Sequence, residues 1–290
     1  MRAVIEKATV LIEALPYIQR FNGETVVVKF GGSIMEDAEG VKGILRDIAF
    51  MACVGLRPVI VHGGGKSISA EMEKRGLRPT FVQGLRVTDQ ASVDVVEQVL
   101  NHEVNPQLVS ILESYDCKAR GIHGDDILKV RKHTVLDEKS GYVLDWGFVG
   151  TPTGADIAPV DAFLKSGITP VITPLGRDEK RQIYNVNADE AAASIAVALK
   201  ARKLVFLSDV PGVLSNKDDE TTIISSIKSS EIGDLVKRGI ISGGMLPKIS
   251  GAVKAMQAGV RKVHLIDAML PHSLLLELFT DKGVGTEIVA

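Results

Sequence analysis

Three glycine-rich stretches of this 290-residue chain carry charged side chains where strands should end. VVVKFGGS holds Lys29 beside Gly31 and Gly32, VIVHGGGKS holds Gly63, Gly64 and Gly65, and LSDVPGV holds Asp209 and Gly212. Ligands of open parallel sheets bind at the carboxyl ends of strands, so these turns are where chemistry belongs. Glycine lets backbone approach an anion closely, and successive N–H groups at a helix start form a positive nest. YNVNADEAAA adds Asn185, Asn187 and Asp189 on alternate positions, which an extended chain projects to one face. One of the three is also expected to cap the alanine-rich helix that follows. ISGGMLPKIS places Gly243 and Gly244 ahead of Lys248, and QGLRVTD presents Arg86, able to grip a carboxylate through two parallel bonds.

Two familiar phosphate motifs fail. HGGGKS ends like a Walker loop, but the glycine required five residues before Gly65 is Ile60. No turn fits the G-x-G-x-x-G dinucleotide fingerprint with its later acidic residue. What remains is lysines, glycine nests, an aspartate and amides, with no Ser-His-Asp set and no metal-ligand cluster. That inventory suits phosphoryl transfer, where a protein mainly positions groups and offsets developing negative charge. No general base stands out. None is needed if the acceptor is a carboxylate, whose pKa of about 4.3 leaves it ionised at neutral pH.

The elements that must position these residues follow from hydrophobic pattern. TVVVKF (25–30), PVIVHGGG (58–65), TPVITP (169–174), KLVFLSDV (203–210) and KVHLID (262–267) read as strands buried on both faces. Helical periodicity fills 37–54, 66–76, 89–113, 188–201, 229–238, 244–259 and 271–280, and 123–158 reads as hairpins. Such alternation predicts an α/β fold, a mainly parallel sheet with helices on both sides. Residues 1–20 form one amphipathic stripe through Val4, Ala8, Leu11, Ile12, Leu15 and Ile18, with Pro16 expected to kink or end the helix. This appendage precedes the first strand and needs a surface to cover, its own body or another subunit. A composition shift near 174–182 (PLGRDEKRQ) marks a candidate seam between two lobes.

Composition narrows the classes. Lys and Arg number 34 against 36 Asp and Glu, so the one-sided basic field of a nucleic-acid binder is missing. No apolar run reaches the length of a membrane span, and the N-terminal stretch scatters charge where a signal peptide would be continuous. Cys53 and Cys117 lack metal-ligand spacing and read as reduced thiols. A soluble, cytoplasmic protein with no nucleic-acid or membrane partner is the expectation.

In their order and spacing, VVVKFGGS, VIVHGGGK, GLRVTD, NVNAD, LSDVPGV and GGMLPKI resemble the amino acid kinase family, and within it the branch that phosphorylates N-acetyl-L-glutamate in arginine biosynthesis. The resemblance runs from Thr25 to the chain end. It implies a three-layer αβα sandwich with two lobes sharing one sheet: residues 23–176 for substrate binding and dimerisation, 177–290 for ATP, and 1–22 as an oligomerisation helix. It implies transfer from ATP, accompanied by Mg²⁺, to the side-chain carboxylate, with Lys29, Lys248 and Asp189 catalytic. By the same resemblance Gly64, Gly65, Arg86 and Asn185 bind substrate, and Gly31, Gly32, Asp209 and Gly212 bind ATP. No protein residue is assigned to the metal. The N-terminal helix and the C-terminal segment resemble the arginine-inhibited branch, a hexamer built as a trimer of dimers, with His264, Glu277 and Gly283 toward L-arginine. One departure stands out. Where the family often shows Gly-Lys-Asp, this chain has Gly124-Asp125-Asp126, and no role is assigned there.

Overall fold

The structure, a computed structural model, describes residues 2–82, 84–136, 141–243, 245–280 and 283–290. Its spine is an eight-stranded sheet in the order Ser226–Lys228, Thr286–Val289, Lys262–Asp267, Lys203–Ser208, Thr25–Phe30, Arg57–His62, Thr169–Ile172, Ala119–Ile122. Every neighbouring pair is parallel except Lys262–Asp267 with Thr286–Val289. Val26, Val28 and Phe30 of the central strand join one apolar core with helices Ala38–Cys53, Gly65–Lys74 and Ser273–Phe279. Val27 faces the other, with helices Ala158–Lys165, Ala188–Ala198 and Met245–Gln257. A strand buried on both faces explains the unbroken apolar run, and the three layers are the αβα sandwich expected. Each fully buried Val, Leu or Ile contributes roughly 1.5–3 kcal/mol.

The expected hairpins are present: Leu128–Leu136 pairs antiparallel with Val143–Ala155 through two register shifts. With Leu175–Arg177 and Ile183–Val186 they close a small barrel. A two-stranded hairpin, Thr80–Val82 with Leu85–Val87, is tied to that barrel where Trp146 Nε1 donates to the Val82 carbonyl at 3.0 Å.

Three expectations change, and the one at Pro16, a kink or an end, loses the end. The N-terminal helix spans Arg2–Phe21 and runs through Pro16, because Tyr17, Ile18 and Phe21 pack on the core and hold the turn beyond it. The single helix expected over 89–113 is Gln90–Val99 and Asn105–Glu113 joined by a π-helical turn, Leu100–Val104. The strand expected over 58–65 ends at His62, where the glycines leave the sheet. Asn185, Asn187 and Asp189 do not share one extended chain: only Ile183–Val186 is strand, Asn187 caps the next helix, and Asp189 lies in its first turn. The capping residue is Asn187, whose Oδ1 accepts from the Asp189 and Glu190 amides at 2.9 and 3.2 Å.

Candidate active site

Lys29 stands near the end of the central strand, Asp189 in the first turn of the helix Ala188–Ala198, and Lys248 in the first turn of Met245–Gln257. The fold brings all three together. Lys29 Nζ lies 2.8 Å from Asp189 Oδ1 and Lys248 Nζ 2.9 Å from Oδ2. The Lys248 ammonium also donates a hydrogen bond to Oδ2, so each carboxylate oxygen faces one lysine. Burial pushes the Lys29 ammonium below the usual lysine range, and Lys248 adds to this against the pull of Asp189. Burial alone would raise Asp189, but the two ammonium groups together hold it below the usual carboxylate range. The cluster is therefore two cations bridged by one anion, with a net charge of about +1, an arrangement able to attract an anionic group.

Two glycine turns abut beside it. A Cβ at Gly31 would meet the Gly63 Cα at 3.0 Å and its nitrogen at 3.1 Å, so only glycine lets the ends of Thr25–Phe30 and Arg57–His62 come this close. The Gly63 amide donates to the Phe30 carbonyl at 2.8 Å, locking one turn to the other. Gly32 turns at a positive φ of 80°, a conformation glycine adopts without strain. Gly64 and Gly65 then open the helix Gly65–Lys74, whose first N–H groups have no helical acceptor and form an anion seat.

A cleft of about 170 Å³ gathers Gly63, Gly64, Gly65, Arg86, Asn185 and Asn187. Arg86 is buried and held: Nη2 donates to the Gly65 carbonyl and Ser69 Oγ, both at 2.8 Å, and its guanidinium lies 4.7 Å from the Phe81 ring centre. The arginine thus fastens the glycine turn and keeps donors free for an acid.

Asp209 follows the strand Lys203–Ser208 and accepts from Ser33 Oγ at 3.4 Å, which places it beside the Gly32 turn. Gly212 lies in the turn that follows, where a Cβ would meet Thr286 Oγ1 at 2.6 Å. Its positive φ of 148° and the closeness of the C-terminal strand both call for glycine. Gly243 precedes the Lys248 helix, and Gly244 lies outside the described residues.

The Gly124-Asp125-Asp126 departure is compensated within the chain. Arg177 reaches buried Asp125 at 2.6 Å and Asp126 at 3.1 Å, and Asn101 Nδ2 donates to Asp125 at 3.2 Å. The added negative charge is neutralised on the spot.

His264, Glu277 and Gly283 converge elsewhere. His264 Nδ1 donates to Glu277 Oε1 at 2.6 Å, Val284 N donates to Oε2 at 2.8 Å, and Gly283 packs on the same carboxylate. They border a cavity of about 410 Å³ shared with Tyr17, Arg20 and Phe21 of the N-terminal helix. Sequence reasoning missed Lys203 here. Burial pulls that lysine down to about 8, with Lys262 and Arg20 adding to the shift and Glu277 and Glu287 opposing it. A lysine opening an otherwise apolar strand was the available signal.

Among the described residues no group of three or more His, Cys, Asp or Glu side chains could hold a metal ion, and no helix is long and apolar enough to cross a membrane.

A glycine-nested two-lysine cluster in an αβα sandwich defines a phosphoryl-transfer scaffold, and residues 24–267 match the model of the amino acid kinase family. The chain belongs to that family. Over 294 residues it is 44% identical to the acetylglutamate kinase of Heliobacterium modesticaldum, covering 100% of both chains. It is 46% identical to that of Akkermansia muciniphila, covering 99% of this chain and 96% of the relative. Among solved structures, N-acetylglutamate synthase from Neisseria gonorrhoeae, in complex with coenzyme A and N-acetyl-glutamate, superposes with a TM-score of 0.84 at 28% identity. That match covers 98% of this chain, which spans only 63% of the synthase chain. The same synthase in complex with coenzyme A and L-arginine gives 0.80, covering 97% and 65%. Carbamate kinase from Giardia lamblia, at 16% identity and a TM-score of 0.67 over 92% of this chain and 98% of its own, shares the fold.

Proposed function

We propose that this chain transfers the γ-phosphoryl group of ATP to the side-chain carboxylate of N-acetyl-L-glutamate, giving the acyl phosphate and ADP, in arginine biosynthesis. The observation that carries the reading is Asp189 bridging Lys29 and Lys248 beside two abutting glycine turns. Full-length likeness to acetylglutamate kinases supports the choice of acid. A carboxylate oxygen attacks the γ-phosphorus, the bond to the β–γ bridging oxygen breaks, and the electron pair leaves on ADP. The acceptor is already an anion, so no base must remove a proton. Lys29 and Lys248 offset the charge on the transferring group, Asp189 holds both in place by ion pairing, and Gly31 and Gly32 receive nucleotide phosphates, with Asp209 and the turn through Gly212 beside the nucleotide. Gly64 and Gly65 seat the reacting carboxylate, Arg86 takes the α-carboxylate and Asn185 the acetamido end. Mg²⁺ accompanies ATP as part of the substrate. The substrate lobe is 23–176 and the ATP lobe 177–290, so each brings one lysine to the phosphate.

The same reading includes feedback by L-arginine at the cavity of His264, Glu277 and Gly283. It is supported by a buried His264 Nε2 with no partner among the described residues and by the arginine complex of the synthase. Residues 1–22 join dimers into a hexamer, consistent with Ile12 and Leu15 exposed at 67% and 43%. ADP release with N-acetyl-L-glutamate, glutamate, aspartate and carbamate tests the substrate: turnover is expected with the first, and no turnover with it would reject the reading.

A further inference from the structure

We infer that His62 is a positioning residue for the phosphoryl acceptor, its imidazole fixed in one tautomer by Asn105 so that it orients the Gly64 N–H through the peptide plane shared with the Gly63 carbonyl. The inference rests on the reading of that glycine turn as the seat of the reacting carboxylate.

His62 is the last residue of the strand Arg57–His62 and has no solvent exposure. Asn105 comes immediately after the π-helical turn Leu100–Val104, and its Nδ2 lies 2.9 Å from the Val171 carbonyl and 3.1 Å from His62 Nε2. A backbone carbonyl can only accept, so the atom facing Val171 is the amide nitrogen. His62 Nε2 therefore faces an N–H and must present its lone pair. The ring proton sits on Nδ1, 2.8 Å from the Gly63 carbonyl oxygen, to which it donates. Burial pulls His62 down to about 4 against that bond, so the ring stays neutral in the range where a carboxylate substrate is ionised.

The consequence lies in one peptide unit. In a planar trans peptide the C=O and N–H point opposite ways, so holding the Gly63 oxygen toward the buried ring turns the Gly64 N–H away from it. The Gly64 N–H donates to no backbone carbonyl among the described residues, and the cleft with Arg86 and Asn185 opens at this turn. Between two glycines the peptide has no Cβ to restrain it, and the imidazole supplies the restraint.

The test uses the full-length protein and two variants. Asparagine's amide nitrogen coincides with imidazole Nδ1, whereas glutamine's reaches the Nε2 position and is nearer to histidine in volume. His62→Gln is expected to lower kcat at least about tenfold with KM for ATP within about twofold, and His62→Asn to restore most of the loss. A packing role gives the opposite order, and that order would overturn the inference. Should both variants fail to fold, histidine ¹⁵N NMR of the unaltered protein decides: Nδ1 protonated and Nε2 bare is expected, and an Nε2–H tautomer or an imidazolium at neutral pH would overturn it. That spectrum does not depend on which acid is the substrate. Lack of turnover with N-acetyl-L-glutamate would therefore refute the proposed function separately.

Discussion

Replacing Asp189 by asparagine keeps shape and volume while removing the anion between two cations. At 2.8 and 2.9 Å and an effective dielectric of about 20, each lysine–carboxylate pair has roughly 6 kcal/mol of attraction. Desolvation of buried Lys29 and Asp189 and of partly buried Lys248, with lysine–lysine repulsion, offsets much of this, and breaking a buried pair typically costs about 3–5 kcal/mol. The variant has one inexpensive escape, which is to deprotonate Lys29, already below the usual lysine range through burial. Removing Asp189 takes away the contact that opposes that shift, so the Lys29 pKa falls further. On the proposed mechanism activity depends on Lys29 being charged, so its loss on the alkaline side should begin at lower pH in the variant. The assay is kcat against pH by coupled ADP release, with urea unfolding in parallel. We expect kcat at neutral pH to fall at least about a hundredfold, near 2.7 kcal/mol of transition-state stabilisation, with the alkaline limb moved down. An Asp189→Asn variant with unchanged kcat and an unmoved limb would refute the bridging role.

Lys248→Ala should lower kcat at least about tenfold, or about 1.4 kcal/mol, in the same assay. Arg86→Lys should raise KM for N-acetyl-L-glutamate by about tenfold or more and leave KM for ATP within about twofold, because a point charge replaces a planar fork stacked on Phe81. Lys203 binds a proton more weakly folded, at about 8, than unfolded, at its ordinary 10.5. The unfolded chain therefore holds more protons between these values, and stability rises with pH across that window by up to about 3 kcal/mol from this group. Lys203→Met should abolish that rise in urea melts at pH about 7.5 and about 9.5, and an unchanged slope would remove the residue as its source. Deleting residues 1–20 should leave an active dimer with weaker arginine inhibition; a hexamer by light scattering would contradict the role given to the helix.

Much of this was readable because the sequence repeats one physical device. A buried strand followed by glycine and a charge marks Lys29, Gly64 and Asp209 directly, and the same logic placed Asp189 and Lys248 at helix starts. Residues defined by distant partners were not readable. His62 and Asn105 are 43 positions apart, and their meeting depends on a π-helical turn with no compositional mark. Asp125 looked like an unbalanced anion until Arg177, from a strand of the small barrel, reached it. The close packing of Gly212 on Thr286 of the last strand was likewise hidden, because the two are distant in sequence. Short strands such as Ala119–Ile122 lack the β-branched run that made the central strands plain.

Phosphorylation of a carboxylate leaves an acyl phosphate, which hydroxylamine traps as a hydroxamate. With ATP, Mg²⁺ and N-acetyl-L-glutamate, the account predicts one hydroxamate per ADP released, and neither product when the acid is omitted. ADP formed without hydroxamate would mean that water is the acceptor, and would contradict it.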